Sequence, residues 1–301
     1  MMKDYPLISI ITLNWNQTDI TCQFLESTKN LQYKNYEILV CDMGSEIDPT
    51  ERIESGGYPN TKVLRSEKNL GFTGGNNWGM RNAAGDYFFI VNNDTEVTPD
   101  LLNILVETFE HDAAAGVVCP KILFYHTPGV IQYTGFTEIN VFTGRNGSIG
   151  WGEQDRGQHD QLKETFYAHG AAMLVSKKVV EKVGMFAEKF FIYYEEMDWS
   201  ARIRRAGFKI IVQPRATILH KESVTMGKES AVKVYYHTRN RILYMRRNSN
   251  GFQFTCFTLF FIFFSVPKSV FKYTRGRQFE HLKSFFRGAF WNLTTSKSSP
   301  V

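Results

Sequence analysis

Cysteine is scarce in this chain. Cys22, Cys41, Cys119 and Cys256 are spread over 301 residues, and no two stand at a spacing that builds a zinc site or a dithiol redox motif. Cys41 and Cys119 lie in apolar runs that read as strands, so the thiols read as buried and reduced, as in a cytosolic protein. A long hydrophobic run is also missing. The most apolar stretch, residues 252–264, has 13 residues, against the roughly 20 that a bilayer span needs. No signal-peptide pattern opens the chain: Asp4 and Pro6 precede a short β-branched run at 7–13 with no small-residue cleavage site. There is no G-x-G-x-x-G and no Walker A loop, which disfavours a dinucleotide or ATP site of those kinds. Internal repeats are absent. Apolar content of 43% and charged content of 22% exclude a disordered chain.

Charge is present but unevenly placed. From Lys221 onward there are 14 Lys+Arg and 3 Asp+Glu, a net of +11, whereas the first 220 residues sum to −6. The basic character belongs to the tail, which suits anionic lipid or another polyanion. In that tail the Phe-rich run is followed directly by Lys268, Lys272, Arg275 and Arg277. Aromatics beside cations predict an interfacial membrane helix, with a helix buried in a homo-oligomer or between domains as the other reading. The Phe run favours lipid over nucleic acid.

The first half alternates strand and helix patterns. Apolar runs at 7–13, 37–41, 61–64 and 87–91 alternate with helical spacing at 18–31, 73–84 and 99–109. This predicts an α/β fold, a mostly parallel central sheet flanked by helices. Residues 121–169, rich in Gly, Thr and Asn, read as hairpins and loops over an acceptor site. Helices follow at 176–183 and 195–207, then two short strands at 208–212 and 216–219, then a basic helix at 229–247. The division predicted is a catalytic domain at 1–228, with a nucleotide-binding half at about 1–115 and an acceptor half at about 116–228. A basic, Phe-rich helical extension follows at 229–301.

In an open parallel sheet, ligands bind beyond the carboxyl ends of the strands. Each candidate strand here ends in polar residues: Asn14, Trp15 and Asn16; Asp42 with Gly44 and Ser45; Asn69 with Gly71, Gly74 and Gly75; Asn92, Asn93 and Asp94. Trp15 offers a flat face to a base, or is core. Asp42 accepts from a pyrimidine ring N–H, or caps a helix. The glycines leave backbone open to a close ligand. Asn92 and Asp94 supply hard oxygen donors of the kind that divalent cations bridging phosphates want, or make an ordinary turn. A second acidic cluster is Glu195-Glu196-Met197-Asp198. Adjacent carboxylates point apart, so one of Glu195 and Glu196 serves chemistry, while Asp198 either joins them or pairs with Arg202 one helical turn on. His220 ends a strand and is either structural or a metal ligand.

Taken in order, these pieces resemble the family 2 glycosyltransferases of the GT-A fold, and within them the rhamnosyltransferase-like proteins that build bacterial surface polysaccharides. The resemblance runs from about Leu7 to Arg247. Ile8-Ser9-Ile10-Ile11 leading to Asn14-Trp15-Asn16 is similar to the family's opening strand and nucleotide loop. Residues 37–45 resemble its second strand with the base-binding aspartate, here Asp42. Asn69-Leu70-Gly71-Phe72 with Gly74-Gly75-Asn76 resembles its asparagine–glycine stretch. Asn92-Asn93-Asp94-Thr95 stands at its metal motif. His169-Gly170-Ala171 resembles its acceptor-side segment, and residues 190–199 its catalytic-base helix. His220 falls where some members place a metal-contacting histidine. Three departures stand out: Met43 replaces a usual Asn, Asn92 replaces a usual Asp, and Glu196 stands at a base position often held by Asp.

The resemblance implies an inverting transfer from a nucleoside-diphosphate sugar, dTDP-rhamnose first, onto a glycan or lipid-linked saccharide. It implies Mg2+ or Mn2+ on Asp94, Asn92 and His220, with Glu196 as base. The implied setting is cytoplasmic, peripheral on the inner face of the cell membrane. The residues alone leave open a nucleotidyltransferase, although 14–19 supply no Lys or Arg for a triphosphate loop, and a non-catalytic glycan- or lipid-binding scaffold.

Overall fold

The computed structural model describes residues 5–221 and 230–299. The first half winds β1 (Ile8–Asn14), α1 (Thr18–Thr28), β2 (Tyr36–Asp42), α2 (Thr50–Glu54), β3 (Thr61–Arg65), α3 (Gly71–Asn82) and β4 (Tyr87–Val91). It continues with β5 (Thr95–Val97), α4 (Leu101–His111), β6 (Ala115–Phe124), β7 (Ile131–Tyr133), β8 (Lys163–Glu164), β9 (Ala172–Ser176), α5 (Lys177–Val183), α6 (Glu195–Arg205) and β10 (Lys209–His220). Four helices close the chain: α7 (Ala231–Asn248), α8 (Gly251–Phe260), α9 (Val266–Arg275) and α10 (Phe279–Thr294).

The strands form one sheet in the order β3-β2-β1-β4-β9-β6-β10-β5, with β7 added to β6 and β8 to β10. β1, β2 and β4 are apolar without alternation because helices cover both faces. Gly79 lets α3 press onto this layer: a Cβ there would stand 2.5 Å from Ile11 Cγ2 and 3.1 Å from Cys41 Sγ.

From β3 to β4 every pairing is parallel. β9 then runs antiparallel to both β4 and β6, so the sheet is mixed. That reversal positions the site. It lays the start of β9 beside the end of β4, in the register Val91 opposite Ala172. Likewise β5 runs antiparallel to β10 with Thr95 opposite His220, which brings His220 to the residue next to Asp94.

Several elements differ from the sequence reading. The two short strands at 208–212 and 216–219 are one strand, β10, with a register irregularity between Gln213 and Thr217 around Pro214. Part of the 121–169 loop region belongs to β6, where Lys121 is buried and bonds Asp155 at 2.8 Å and Asp160 at 2.5 Å. The basic helix begins at Ala231, residue 229 lying outside the described residues. The Phe-rich run is part of something longer. α8, a π-helical turn (Phe261–Ser265) and α9 join into one 25-residue helix, Gly251–Arg275. By length and composition it is long enough to cross a membrane, at about 37 Å, and only 11% of its most apolar part is buried. The length objection drawn from 13 residues therefore falls.

The helices after 229 are not a detached appendage. Leu243, Tyr244 and Met245 of α7 and Phe257, Phe261, Tyr273 and Phe285 of the later helices share an apolar cluster with Ile139, Tyr167, Phe190 and Tyr194.

Candidate active site

The nucleotide side is a closed polar network on the ends of β1, β2 and β4. Asp42 is fully buried. Asn14 Nδ2 donates to its Oδ1 at 2.8 Å, Ser45 Oγ donates to the same oxygen, and the Ser45 N–H donates to Oδ2 at 3.1 Å. Thr21 Oγ1 donates to Asn14 Oδ1 at 2.8 Å, and Asn93 Nδ2 donates to Thr21 Oγ1 at 2.8 Å. Asn16, in a left-handed conformation (φ 53°), donates its N–H to Ser45 Oγ and accepts the Glu46 N–H, each at 2.8 Å. Three strand ends are thereby tied into one unit. Beside it Trp15 is 42% exposed. Asp42 itself presents no accessible oxygen in this state. It organises the loop, and direct contact with a base would need its surroundings to shift.

The glycines serve packing, which corrects the reading of open backbone for a ligand. A Cβ on Gly75 would meet Met43 Sδ at 2.7 Å and Leu13 Cδ2 at 3.0 Å. Gly71 has φ +70°, and a Cβ there would meet the Phe191 ring at 2.5 Å. Asn69 Oδ1 accepts the Gly71 N–H at 2.8 Å, which shapes the turn into α3.

Asp94 and His220 come together as the strand register requires. His220 Nε2 stands 3.1 Å from Asp94 Oδ1. Both atoms are buried, and neither has a hydrogen-bond partner. His220 Nδ1 meets Gln132 Oε1 at 2.7 Å, which leaves Nε2 facing Asp94. A ring nitrogen and a carboxylate oxygen facing at that distance share a positive charge between them, a proton or a metal ion. Asn92 is anchored through its main chain: its N–H donates to Ala171 O at 3.0 Å and its carbonyl accepts Thr95 Oγ1 at 2.8 Å. His169 stacks on Phe136 and lies 6.4 Å from His220, ring to ring. Burial, with His220 nearby, pushes its pKa down to about 3. Accordingly its Nδ1 accepts the Ala171 N–H at 3.0 Å.

The acid side hangs from the same segment, since the Ala168 N–H donates to Ser200 Oγ of α6 at 3.0 Å. Glu195 and Glu196 open α6, and each has a buried Oε2 with no partner. Burial pushes Glu195 well above the usual carboxylate range, helped by Glu196, and raises Glu196 to about 7. Asp198 does not join them. Its oxygens take Arg202 Nε at 3.0 Å, Arg247 Nε at 2.8 Å and Asn248 Nδ2 at 2.8 Å, and these cations hold its pKa down against burial. Its role is to clamp α7 to α6, which corrects its grouping with the catalytic acids.

A model of glycosyl transferase family 2 matches residues 9–184, more than half of the chain. The chain belongs to that family. Among its relatives is the low-salt glycan biosynthesis hexosyltransferase Agl10 of Haloferax volcanii, 26% identical over 97% of this chain and 93% of that one. The N-acetylglucosaminyl-diphospho-decaprenol L-rhamnosyltransferase of Mycobacterium tuberculosis is 23% identical over 76% of this chain and 80% of its own. An uncharacterised Sinorhizobium fredii protein is 29% identical, but this chain spans only 28% of it. In fold the chain is similar to a Pyrobaculum calidifontis mannosyltransferase solved with GDP-Man and Mn2+ (TM-score 0.59, 12% identity, 97% of this chain and 88% of that one). It is also similar to residues 1–349 of Staphylococcus aureus TarS with UDP-GlcNAc (TM-score 0.59, 15% identity, 93% and 81%). The architecture is GT-A.

This glycosyltransferase also relies on residues that its sequence did not single out. Gln132 holds the His220 ring through Nδ1 from a segment read as loop. Three residues ahead of α6, Phe191, Tyr193 and Tyr194, have φ of 65°, 69° and 70°, a costly conformation for bulky side chains. Asn240 of α7 holds them there, donating to the carbonyls of Phe190, Ile192 and Tyr193 at 2.7–2.9 Å. Arg239 donates to Lys189 O at 2.8 Å and Phe190 O at 2.6 Å. The available signal was Asn240 itself, a residue that disfavours a helix interior unless its side chain has work elsewhere.

Proposed function

We propose that this family 2 enzyme is a metal-dependent, inverting transferase. On this reading it moves a sugar from a nucleoside-diphosphate donor to a glycan or lipid-linked saccharide in surface polysaccharide synthesis. The observation that carries the metal is the facing pair Asp94 Oδ1 and His220 Nε2, both buried and both without partner. Among the described residues no three His, Cys, Asp or Glu gather. Two protein donors, with phosphate oxygens and water completing the shell, suit Mg2+ or Mn2+. Such an ion would offset charge on the departing diphosphate.

The chain's own residues do the rest. Trp15 offers a stacking face to the base, and the Asn14–Asp42–Ser45 unit holds the loop that carries it. The acceptor hydroxyl oxygen attacks the anomeric carbon as the bond from that carbon to the diphosphate oxygen breaks. The hydroxyl proton passes to Glu196. A carboxylate that burial raises toward neutrality is basic enough to take it. Burial, with Glu196 beside it, likewise raises Glu195 well above the usual carboxylate range. Residues 1–228 are read as the catalytic domain and 229–301 as an extension. Through the helix Gly251–Arg275 that extension associates with the inner face of the cell membrane. Rhamnose is the first donor sugar to try, given the mycobacterial relative.

The test is thermal stabilisation by UDP-, dTDP- and GDP-sugars, each with and without Mn2+. A ligand at 100 times its Kd adds about 2.7 kcal/mol. A Mn2+-dependent shift with one nucleotide class is expected. No shift with any of the three in folded protein would overturn the donor reading.

A further inference from the structure

A cavity of about 810 Å³ lies between the 143–146 loop, α7 and the helix Gly251–Arg275. Arg145, Lys233, Arg241, Lys268 and Lys272 line it, and among its described lining residues there is no aspartate or glutamate. Trp15, Asp42, Asp94, Glu196 and His220 are not among them either, so the donor, metal and base groups of the transfer site lie outside this cavity.

Arg241 is the buried member of the set, 6% exposed. Its Nη2 donates to the neutral Ser265 Oγ at 2.9 Å, and its Nε has no partner. The guanidinium stands 5.4 and 5.3 Å from the centroids of the Phe257 and Phe261 rings, which attract a cation without neutralising it. Among the described residues no carboxylate pairs with it, and burial, with Arg145 adding repulsion, pushes its pKa down to about 10. A second donor of the same lining, Asn146 Nδ2, is also buried without a partner. A buried cation without a counter-ion is costly, and like charges gathered around it raise that cost.

An anion in the cavity removes the cost, and one with several oxygens answers every group at once. A guanidinium fork, an amide N–H and ammonium groups together suit phosphate. We propose that the cavity is a phosphate-binding site, separate from the transfer site, whose ligand neutralises Arg241 and ties the 143–146 loop and the long helix to α7. Two sources share that chemistry: inorganic phosphate and the head of an anionic phospholipid. For the second, Ile262, Phe263 and Phe271 of the same helix are exposed and can carry acyl chains. Such a site goes beyond the transferase reading and needs neither its donor, its acceptor nor its metal.

The test uses the full chain in neutral detergent, with metal chelated and ionic strength fixed by sodium chloride so that screening of exposed charge is constant. Inorganic phosphate and phosphatidylglycerol in mixed micelles are titrated separately, with binding read by calorimetry and by melting temperature. At least one is expected to bind and to raise the melting temperature. Tighter binding of phosphatidylglycerol assigns the lipid head, and equal or tighter binding of inorganic phosphate assigns the free ion. Affinity for the ligand that binds should fall about tenfold or more in Arg241→Gln. It should fall likewise in the Arg145→Ala, Lys268→Ala double variant, whose two side chains are exposed. It should stay within about twofold in Arg275→Ala, Lys283→Ala, which removes exposed cations outside the cavity. Failure of both ligands to bind overturns the proposal. So does an equal loss in the two double variants, which would make binding a matter of the tail's overall charge. Should Arg241→Gln fail to fold, the two double variants decide the matter alone.

Discussion

On the nucleotide side of the cleft the polar side chains of the cradle answer one another, and on the acid side the groups are left open. Asn14, Thr21, Asp42, Ser45 and Asn93 form a buried chain of hydrogen bonds with its partners in place. Glu195, Glu196, Asp94 and His220 each keep a buried atom with none. The first pattern is what a rigid cradle needs, since a satisfied buried network fixes one geometry. The second is what chemistry needs, since an atom already saturated cannot take up a proton or a cation. Asp198 shows the contrast within a single helix turn: two residues past Glu196, it is saturated by arginines and therefore structural.

The largest effect should come from the open side. Glu196→Gln keeps the shape and removes the base, so transfer should fall by about 10²–10⁴-fold, while nucleotide-sugar stabilisation persists. Single-turnover assays beside thermal shifts separate the two, and loss of donor binding instead would reassign Glu196 to structure. In the wild type, kcat/KM should climb as pH rises through about 7, the range to which burial lifts Glu196, and then level off. Next in size, Asp94→Ala should weaken the response to Mn2+ by about 10–100-fold, read by metal titration of the nucleotide-dependent shift. Gln132→Ala, which removes the partner of His220 Nδ1, should give a smaller change in the same direction. An unchanged Mn2+ response in Asp94→Ala would remove the metal from this pair.

The two sides also differ in how far they can be read from sequence. The nucleotide side is local: each strand of 5–7 apolar residues ends in its own polar residues, so strand, turn and candidate site sit in one window. The acid side is assembled from afar. Its loop is held by Asn240, 47–50 residues later in the chain. Its histidine is oriented by Gln132, 88 residues earlier. No periodicity carries such contacts. The run around Cys119 reads as a strand, but the rest of β6 is hidden by Pro120 and Lys121 in mid-strand, and its lysine is tolerated only because Asp155 and Asp160 fold back over it. The membrane-length helix was obscured by Ser265, Pro267 and Lys268, which end the apolar count without ending the helix.

Asn240 links the two principles, because it is a satisfied group that keeps the open side in place. Asn240→Ala leaves the Ile192 and Tyr193 carbonyls short of that donor and frees a left-handed loop, so it should cost about 1–3 kcal/mol in denaturant unfolding. It should also lower kcat more than it raises the donor KM. A variant as active as wild type would show that the strained loop holds itself.

The smallest effect concerns stability and pH. Glu195 and Glu196 have folded-state pKa values raised above the ordinary 4.5. The folded chain therefore binds protons that the unfolded chain releases. The stability this confers is fully present below about 4.5 and is lost as pH rises through about 7 for Glu196. Melting temperature should therefore fall between pH 6 and pH 8, and Glu196→Gln, which has no charge to bury, should flatten that fall by on the order of 2 °C. Asp198 gives the opposite slope. Its depressed pKa adds stability present above the ordinary value of 3.8 and lost as pH falls below it. Acid should thus unclamp α7 while alkali burdens the start of α6, and a melting profile that is flat on the alkaline side would show that the two glutamates are better solvated than their burial implies.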